Sequence, residues 1–258
     1  MKIPIALSIA GSDPSGGAGI QADLKTFHQR GVYGMAAVTL LTVQNTIGVS
    51  AVEMIAPETV EAQVRAVLED IPPRAAKTGA LGDEKIVRML ARLAEEFNFP
   101  LVVDPVMISK HGHALLTEQA RRAMAELLLP RAHLVTPNLH EAAELAGFPV
   151  HDIESMERAA EKILSLGARG ALIKGGHLKG DAVDLLRMGN ETILLSSPRI
   201  ETRHTHGTGC VYSACITAEL AKGNMIKDAT AAAKDFITRA IATAPGLGHG
   251  SGPVNYFV

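Results

Sequence analysis

Five residues in the last quarter of the chain have the types and spacing to do chemistry: His206-Gly207-Thr208-Gly209-Cys210. A run of small residues with helical character follows at once, Val211-Tyr212-Ser213-Ala214-Cys215. A glycine turn at a helix start leaves backbone N–H groups without intrahelical acceptors, and the positive end of the helix dipole adds to them. That is an anion site. Cys210 then lies where a phosphate would rest, so Gly207, Thr208 and Gly209 are read as an anion cradle beside a reacting thiol. Cysteines that are not in disulfides are usually buried and inert. Cys215 fits that description: five helical steps of about 100° separate it from Cys210 by about 140°, so the two do not share a face. Cys210 differs because it sits at a helix N-terminus, where the dipole is expected to lower its pKa below about 8.5. A thiolate there could take a proton from an attacking hydroxyl.

Other candidates lie where strands are expected to end. The segment from Gly11 through Gly16-Gly17-Ala18-Gly19 to Asp23 follows the first apolar run. Gly17-Ala18-Gly19-Ile20-Gln21-Ala22 loosely matches a dinucleotide fingerprint. The loop is too long for one, though, and the next strand ends in Thr42-Val43-Gln44-Asn45 instead of an acid. A loop whose backbone closes over a small polar substrate fits better, with Asp23 as an acceptor; the plain alternative is a tight turn. Gln44, just past an apolar strand, carries donor and acceptor together and could pair with a heteroaromatic edge, or simply face water. Asp104 ends the run Val102-Val103-Asp104. Thr136-Pro137-Asn138-Leu139-His140-Glu141 ends another, where Asn138 and Glu141 also have capping-box spacing. Asp104 and Glu141 are read as acting through water on Mg²⁺, which takes few carboxylates and keeps waters and phosphate oxygens. Lys174, before Gly175-Gly176-His177, could approach nucleotide phosphates. Lys234, in the last long helix, has the position of a solvated face and is carried as a further nucleotide-binding candidate. The close pairs His111/His113 and His204/His206, and His249, have no partners at zinc spacing, and there is no Cys-x-x-Cys.

The elements that must hold these residues follow from the apolar pattern. Strands are expected at 5–10, 36–42, 52–55, 76–78, 101–104, 134–136, 171–174, 182–187 and 192–196. Helices are expected at 17–30, 57–69, 83–97, 117–128, 139–146, 156–166, 210–222 and 227–244. The alternation of short, nearly continuous apolar strands with longer helices predicts an α/β fold with a mostly parallel sheet covered on both faces. Gly189-Asn190 predicts a hairpin turn. In such sheets ligands lie beyond the carboxyl ends of the strands. The 258 residues, 47% hydrophobic, suffice for one domain spanning 1–258, and no linker or repeat divides them. Aromatics are only 3%, so the core must be aliphatic. A formal net charge of −2 argues against a nucleic-acid or membrane surface. No apolar run is long enough for a bilayer, and the N-terminus lacks signal-peptide character. Two cysteines and no disulfide framework suggest the cytoplasm.

With these residues in place the chain resembles the ribokinase-like superfamily, and within it the hydroxymethylpyrimidine/phosphomethylpyrimidine kinases of thiamine biosynthesis. The resemblance spans nearly the whole length. It rests on the glycine-rich segment 9–23, on Thr42-Val43-Gln44-Asn45-Thr46, on Val103-Asp104-Pro105-Val106-Met107, on Thr136-Pro137-Asn138-Leu139-His140-Glu141-Ala142 and on Thr205-His206-Gly207-Thr208-Gly209-Cys210. It implies a three-layer αβα sandwich and ATP- and Mg²⁺-dependent phosphorylation of 4-amino-5-hydroxymethyl-2-methylpyrimidine, then of its monophosphate. It further implies that Gln44 and the Gly11 backbone hold the pyrimidine with Asp23 nearby. Asp104 and Glu141 would serve the metal–phosphate region, Asp104, Thr136, Asn138, Lys174 and Lys234 the nucleotide, and 108–116 a flap over the site. Homodimerisation is also implied. Most of the superfamily has aspartate at the position of Cys210, whereas the pyrimidine kinases and some pyridoxal kinases have cysteine. Pyridoxal kinase is therefore the nearest alternative; a non-catalytic pyrimidine or nucleotide sensor and a dinucleotide oxidoreductase are the others.

Overall fold

Alternating side chains along each central strand feed two separate cores, one on either face of a single sheet. In the computed structural model, which describes residues 3–107, 116–176 and 178–258, the strands are β1 (Ile5–Ser12), β2 (Tyr33–Gln44), β3 (Val49–Met54), β4 (Ala75–Thr78), β5 (Leu101–Val103), β6 (Leu134–Val135), β7 (Gly170–Ile173), β8 (Ala182–Met188) and β9 (Glu191–Ser197). They form one nine-stranded sheet in the order β3-β2-β1-β4-β5-β6-β7-β8-β9. From β2 to β7 every neighbour pairs in parallel. β3 adds an antiparallel strand at one edge, and β8 and β9 extend the other edge by antiparallel pairing.

The helices are α1 (Gly19–Gln29), α2 (Pro57–Asp70), α3 (Glu84–Leu93), α4 (Glu118–Ala123), α5 (Leu139–Ala146), α6 (Ile153–Ser165), α7 (Thr208–Ala221) and α8 (Ile226–Ala242). Leu7, Ala76, Val103 and Ile173 face the core under α2 to α6; Ala6, Ala75, Val102 and Leu172 face the one under α1, α7 and α8. Adjacent residues in a strand point to opposite faces, so neighbours in sequence serve different cores. The expected three-layer α/β sandwich with a mostly parallel sheet is the architecture found.

Boundaries differ from expectation where tertiary contacts decide them. β2 runs beyond both expected ends because Tyr33 pairs with Ile5 and Gln44 with Val49, so Gln44 ends the strand instead of following it. α1 starts two residues after Gly17, which is held in the preceding loop against His206. α6 starts at Ile153, earlier than the apolar period suggests, because the Asp152 side chain accepts from the Ser155 N–H at 2.8 Å. At the β8–β9 turn Met188 pairs with Glu191 across Gly189, whose φ of +54° suits a tight hairpin. Of the expected flap, 108–115 lies outside the described residues.

Candidate active site

The parallel strands all present their carboxyl ends to the same edge of the sheet, and a cleft of about 480 Å³ opens there. Each of these strands contributes to its lining: Gly11 and Asp13 at the end of β1, Gln44 at the end of β2, Lys77 on β4, Asp104 after β5, Asn138 after β6, Lys174 after β7. The first turn of α7 closes the cleft with Gly207, Thr208, Gly209 and Cys210.

Gly207 is the left-handed N-cap of α7, with φ of +77°. A Cβ on it would lie 1.7 Å from the Gly17 carbonyl oxygen, so the two glycine loops interlock backbone to backbone. This sets the helix N-terminus over the sheet edge. Thr208 N–H turns back to the Thr205 carbonyl at 3.3 Å, and Gly209 and Cys210 line the cleft at the same positive helix end. Tyr256, near the C-terminus, ties the arrangement down by donating to the Gly17 carbonyl at 2.8 Å.

Cys210 corrects one expectation. Burial pushes its thiol up to about 11, although Lys77 and a hydrogen bond from the Gly19 backbone pull the other way. Loss of hydration outweighs the helix end that was expected to lower it. In the absence of substrate the residue is a thiol.

The acidic pair lies beside the anion cradle. Asp104 Oδ1 accepts from Lys174 Nζ at 3.1 Å, and Oδ2 from Ser213 Oγ at 3.0 Å. Glu141 completes a capping box: its backbone N–H donates to Asn138 Oδ1 at 2.9 Å, and its Oε2 accepts from the Asn138 N–H at 2.8 Å. It also lines the cleft. The capping role thus leaves Glu141 on the cleft wall. Burial raises its pKa to about 7; Lys174 opposes this and Asp104 adds to it. Two buried carboxylates beside a phosphate cradle are a donor set that suits Mg²⁺. Among the described residues no group of three or more His, Cys, Asp or Glu could hold an ion, so water and phosphate oxygens would complete its coordination.

Three expected contacts are not made. Asp23 is fully buried and does not line the cleft; its Oδ1 accepts from Lys77 Nζ at 2.7 Å and its Oδ2 from Ser8 Oγ at 2.5 Å. The pair is oriented, with the ammonium residue on the cleft floor and the carboxylate behind it. Thr136 is also behind the wall, 3.3 Å from Asp104 Oδ1, where it supports that carboxylate. Lys234 is neither solvated nor in the cleft: it is 8% exposed, and its Nζ donates to Asp184 Oδ2 and the Ala182 carbonyl, both at 2.8 Å. Strand β8 brings Asp184 to it, a contact that no local pattern reports.

Sequence reasoning also missed residues. Lys77 was readable in principle, since a lysine inside the apolar strand Ala75-Ala76-Lys77-Thr78 must be paired when buried. Asp13 lies within the glycine-rich segment 9–23 with no role legible from its neighbours, and His206 has none beyond its place in the glycine turn. They meet: His206 Nε2 lies 2.7 Å from Asp13 Oδ2 and 3.2 Å from the Gln44 side-chain amide.

The family model described as phosphomethylpyrimidine kinase matches residues 13–255. A hydroxymethylpyrimidine/phosphomethylpyrimidine kinase of Streptomyces coelicolor is 48% identical, covering 98% of this chain and 94% of the relative. The thiamine biosynthesis bifunctional protein ThiED of Geobacter sulfurreducens is 48% identical over 98% of this chain and 52% of its own length. The structure of the Staphylococcus aureus pyridoxal kinase in complex with AMP-PCP and pyridoxal superposes with a TM-score of 0.91 at 37% identity, covering 99% of this chain and 94% of that one.

Proposed function

From the premise that the chain belongs to the phosphomethylpyrimidine kinase family and is a kinase of thiamine biosynthesis, we propose that it transfers the γ-phosphoryl group of ATP to 4-amino-5-hydroxymethyl-2-methylpyrimidine and then to its monophosphate. The observation that carries this reading is one cleft lined both by the α7 N-terminal turn, Gly207 to Cys210, and by an amide able to read a heterocycle, Gln44.

Phosphoryl transfer asks mainly for positioning and charge neutralisation, because its transition state is loose. In this reading Gly209 and Cys210 direct backbone N–H groups at the moving phosphoryl oxygens. Lys174 and Asn138 serve the nucleotide phosphates from the same side. Asp104 and Glu141 would hold Mg²⁺, partly through water, and the ion would supply neutralisation of the phosphate charge. Gln44 and the Gly11 backbone hold the ring. In its minor thiolate form Cys210 Sγ takes the proton of the hydroxymethyl group as that oxygen bonds to the γ-phosphorus and the bond to ADP breaks. A thiol held at about 11 is rarely ionised in the empty cleft, so the backbone cradle carries more of the rate than the sulfur does.

Pyridoxal is the competing acceptor, favoured by the S. aureus structure's bound molecule. Steady-state turnover of the two alcohols with excess Mg-ATP separates them. The pyrimidine is expected to have the larger kcat/KM, and a large excess for pyridoxal overturns the assignment. We also propose a homodimer in the cytoplasm. In support of the dimer, Leu41, Val43, Val52 and Met54 expose apolar surface on the β2–β3 ribbon, with Ile47 in the turn between them. For the location, no helix among the described residues is long and apolar enough to cross a membrane, and both cysteines are free.

A further inference from the structure

In the cleft wall beside Gln44, two side chains compete for one imidazole nitrogen. His206 Nε2 is 2.7 Å from Asp13 Oδ2 and 3.2 Å from Gln44 Nε2, so the orientation assigned to the carboxamide places a nitrogen opposite the ring nitrogen. Asp13 and His206 are 2% and 3% exposed, so water does not resolve the competition. Where the imidazole proton sits decides what Gln44 presents to a ligand.

Asp13 settles the proton. Its Oδ1 accepts from the Ser15 N–H at 2.9 Å and the Ser15 hydroxyl at 2.7 Å, and its Oδ2 from the Ala18 N–H at 2.8 Å. Burial pushes the Asp13 carboxyl up, but hydrogen bonds from His206 and Ser15 outweigh it and hold it below the ordinary carboxylate range. An ionised carboxylate against a bare ring nitrogen would set lone pair against lone pair. Nε2 therefore bears a hydrogen and donates it to Asp13. That same hydrogen faces Gln44. A carboxamide NH₂ turned toward it would oppose donor to donor, whereas the carbonyl oxygen can share it. The two ends of a carboxamide have nearly the same shape, so the turn is sterically free. The imidazole packs against the Gly17 backbone, and its own main chain is tied down. A Cβ on Gly17 would lie 2.4 Å from its Cδ2, and the His206 N–H donates to the Gly252 carbonyl at 3.0 Å. The adjoining Ser251 N–H reaches the Thr46 carbonyl at 2.9 Å, so the C-terminal segment clamps the Gln44 and His206 loops together.

We propose that Asp13 and His206 are positioning residues that hold the Gln44 carboxamide with its oxygen toward the imidazole and its NH₂ group toward the cleft, so that this wall selects a substrate with an unprotonated ring nitrogen at that edge. The inference rests on the heterocycle-kinase reading above and sharpens it. Gln44 then offers one polarity, not the paired donor and acceptor its side chain carries in isolation. An exocyclic amino group or ring N–H at that edge is rejected.

Two measurements test it. The first is ¹⁵N NMR of the imidazole nitrogens in the ligand-free protein, with the His206 signals assigned by their loss in His206→Asn. Nε2 is expected to be protonated; a bare Nε2 overturns the proposal whatever the substrate proves to be. The second is calorimetric binding of the hydroxymethylpyrimidine and of its two pyridine analogues, each with one ring nitrogen replaced by C–H. In the unmodified protein one analogue is expected to lose about tenfold in affinity, the worth of one good hydrogen bond. In His206→Phe that loss is expected to shrink to about twofold, and His206→Asn, which keeps a donor, is expected to restore part of it. Equal losses in the unmodified protein and His206→Phe overturn the proposal. A protein that binds none of the three compounds overturns the kinase reading, while the NMR result still decides the tautomer.

Discussion

At the scale of single residues, the cleft sets several charges against one another, and each gives a measurable consequence. Cys210→Ala is expected to lower kcat by about 100-fold, at the low end for a lost proton acceptor, with pyrimidine affinity largely unchanged; an unchanged kcat in steady-state assays removes the sulfur from the reaction. Because burial holds the thiol up to about 11, the rate through it should climb with pH across the neutral range. Cys210→Asp, which is ionised well below neutrality, should flatten that rise. Gln44→Ala should raise KM for the pyrimidine by about tenfold with little change in kcat, as loss of a ring contact distant from the phosphate requires. Glu141 supplies a stability prediction. Its folded pKa of about 7 lies above the ordinary 4.5, so the folded state binds the extra proton between these values. Its stabilising contribution is present below about 4.5 and lost as pH rises through 7. Glu141→Gln keeps the capping geometry without the charge. It should therefore unfold at higher urea than the parent at pH 8, by up to about 3 kcal/mol, with the difference closing toward pH 4.5.

At the scale of elements, two contacts between distant segments hold the site together. Gly207 has a left-handed backbone and no room for a Cβ against the Gly17 carbonyl. Gly207→Ala should cost more than the roughly 1–2 kcal/mol of a left-handed alanine and displace the α7 N-terminus. A large fall in kcat with a lower melting temperature is the expected readout. The Lys77–Asp23 pair joins β4 to α1 beneath the cleft. Asp23→Asn leaves a buried ammonium without its counter-charge and should destabilise by about 3–5 kcal/mol in denaturant titration. Adding Lys77→Met should recover much of that loss. No recovery in the double variant would mean that Asp23 acts through something other than the pair.

At the scale of the whole molecule, the parallel sheet explains why one edge collects all the chemistry. Strands that run the same way end together, and their ends contribute residues to one cleft closed by the α7 N-terminus. The apolar exposure of β2 and β3 lies at the opposite flank from β8 and β9, on the edge whose strand β2 ends in Gln44. If that ribbon is the dimer contact, Val43→Lys should convert the species seen by sedimentation from dimer to monomer. A mass unchanged by the substitution moves the contact elsewhere.

The sequence by itself determined the order of strands and helices, the parallel architecture and the glycine turn that opens a helix at Gly207 to Cys210. Period-2 and period-3.6 apolar patterns and the chemistry of glycine are local, and α5 has the bounds that its apolar period and Asn138 cap predict. Asp104, Lys174 and Glu141 were legible for the same reason: they stand where strands stop. What only the tertiary structure decided was which polar groups face each other. Asp23 reads as a ligand until Lys77, 54 residues away, is brought against it. Lys234 reads as solvated until Asp184 arrives from β8. The Cys210 thiol reads as activated by its helix until the surrounding elements remove the water that would solvate its charge. Partner choice and desolvation are properties of packing between segments far apart in the chain, and no window along the sequence contains them.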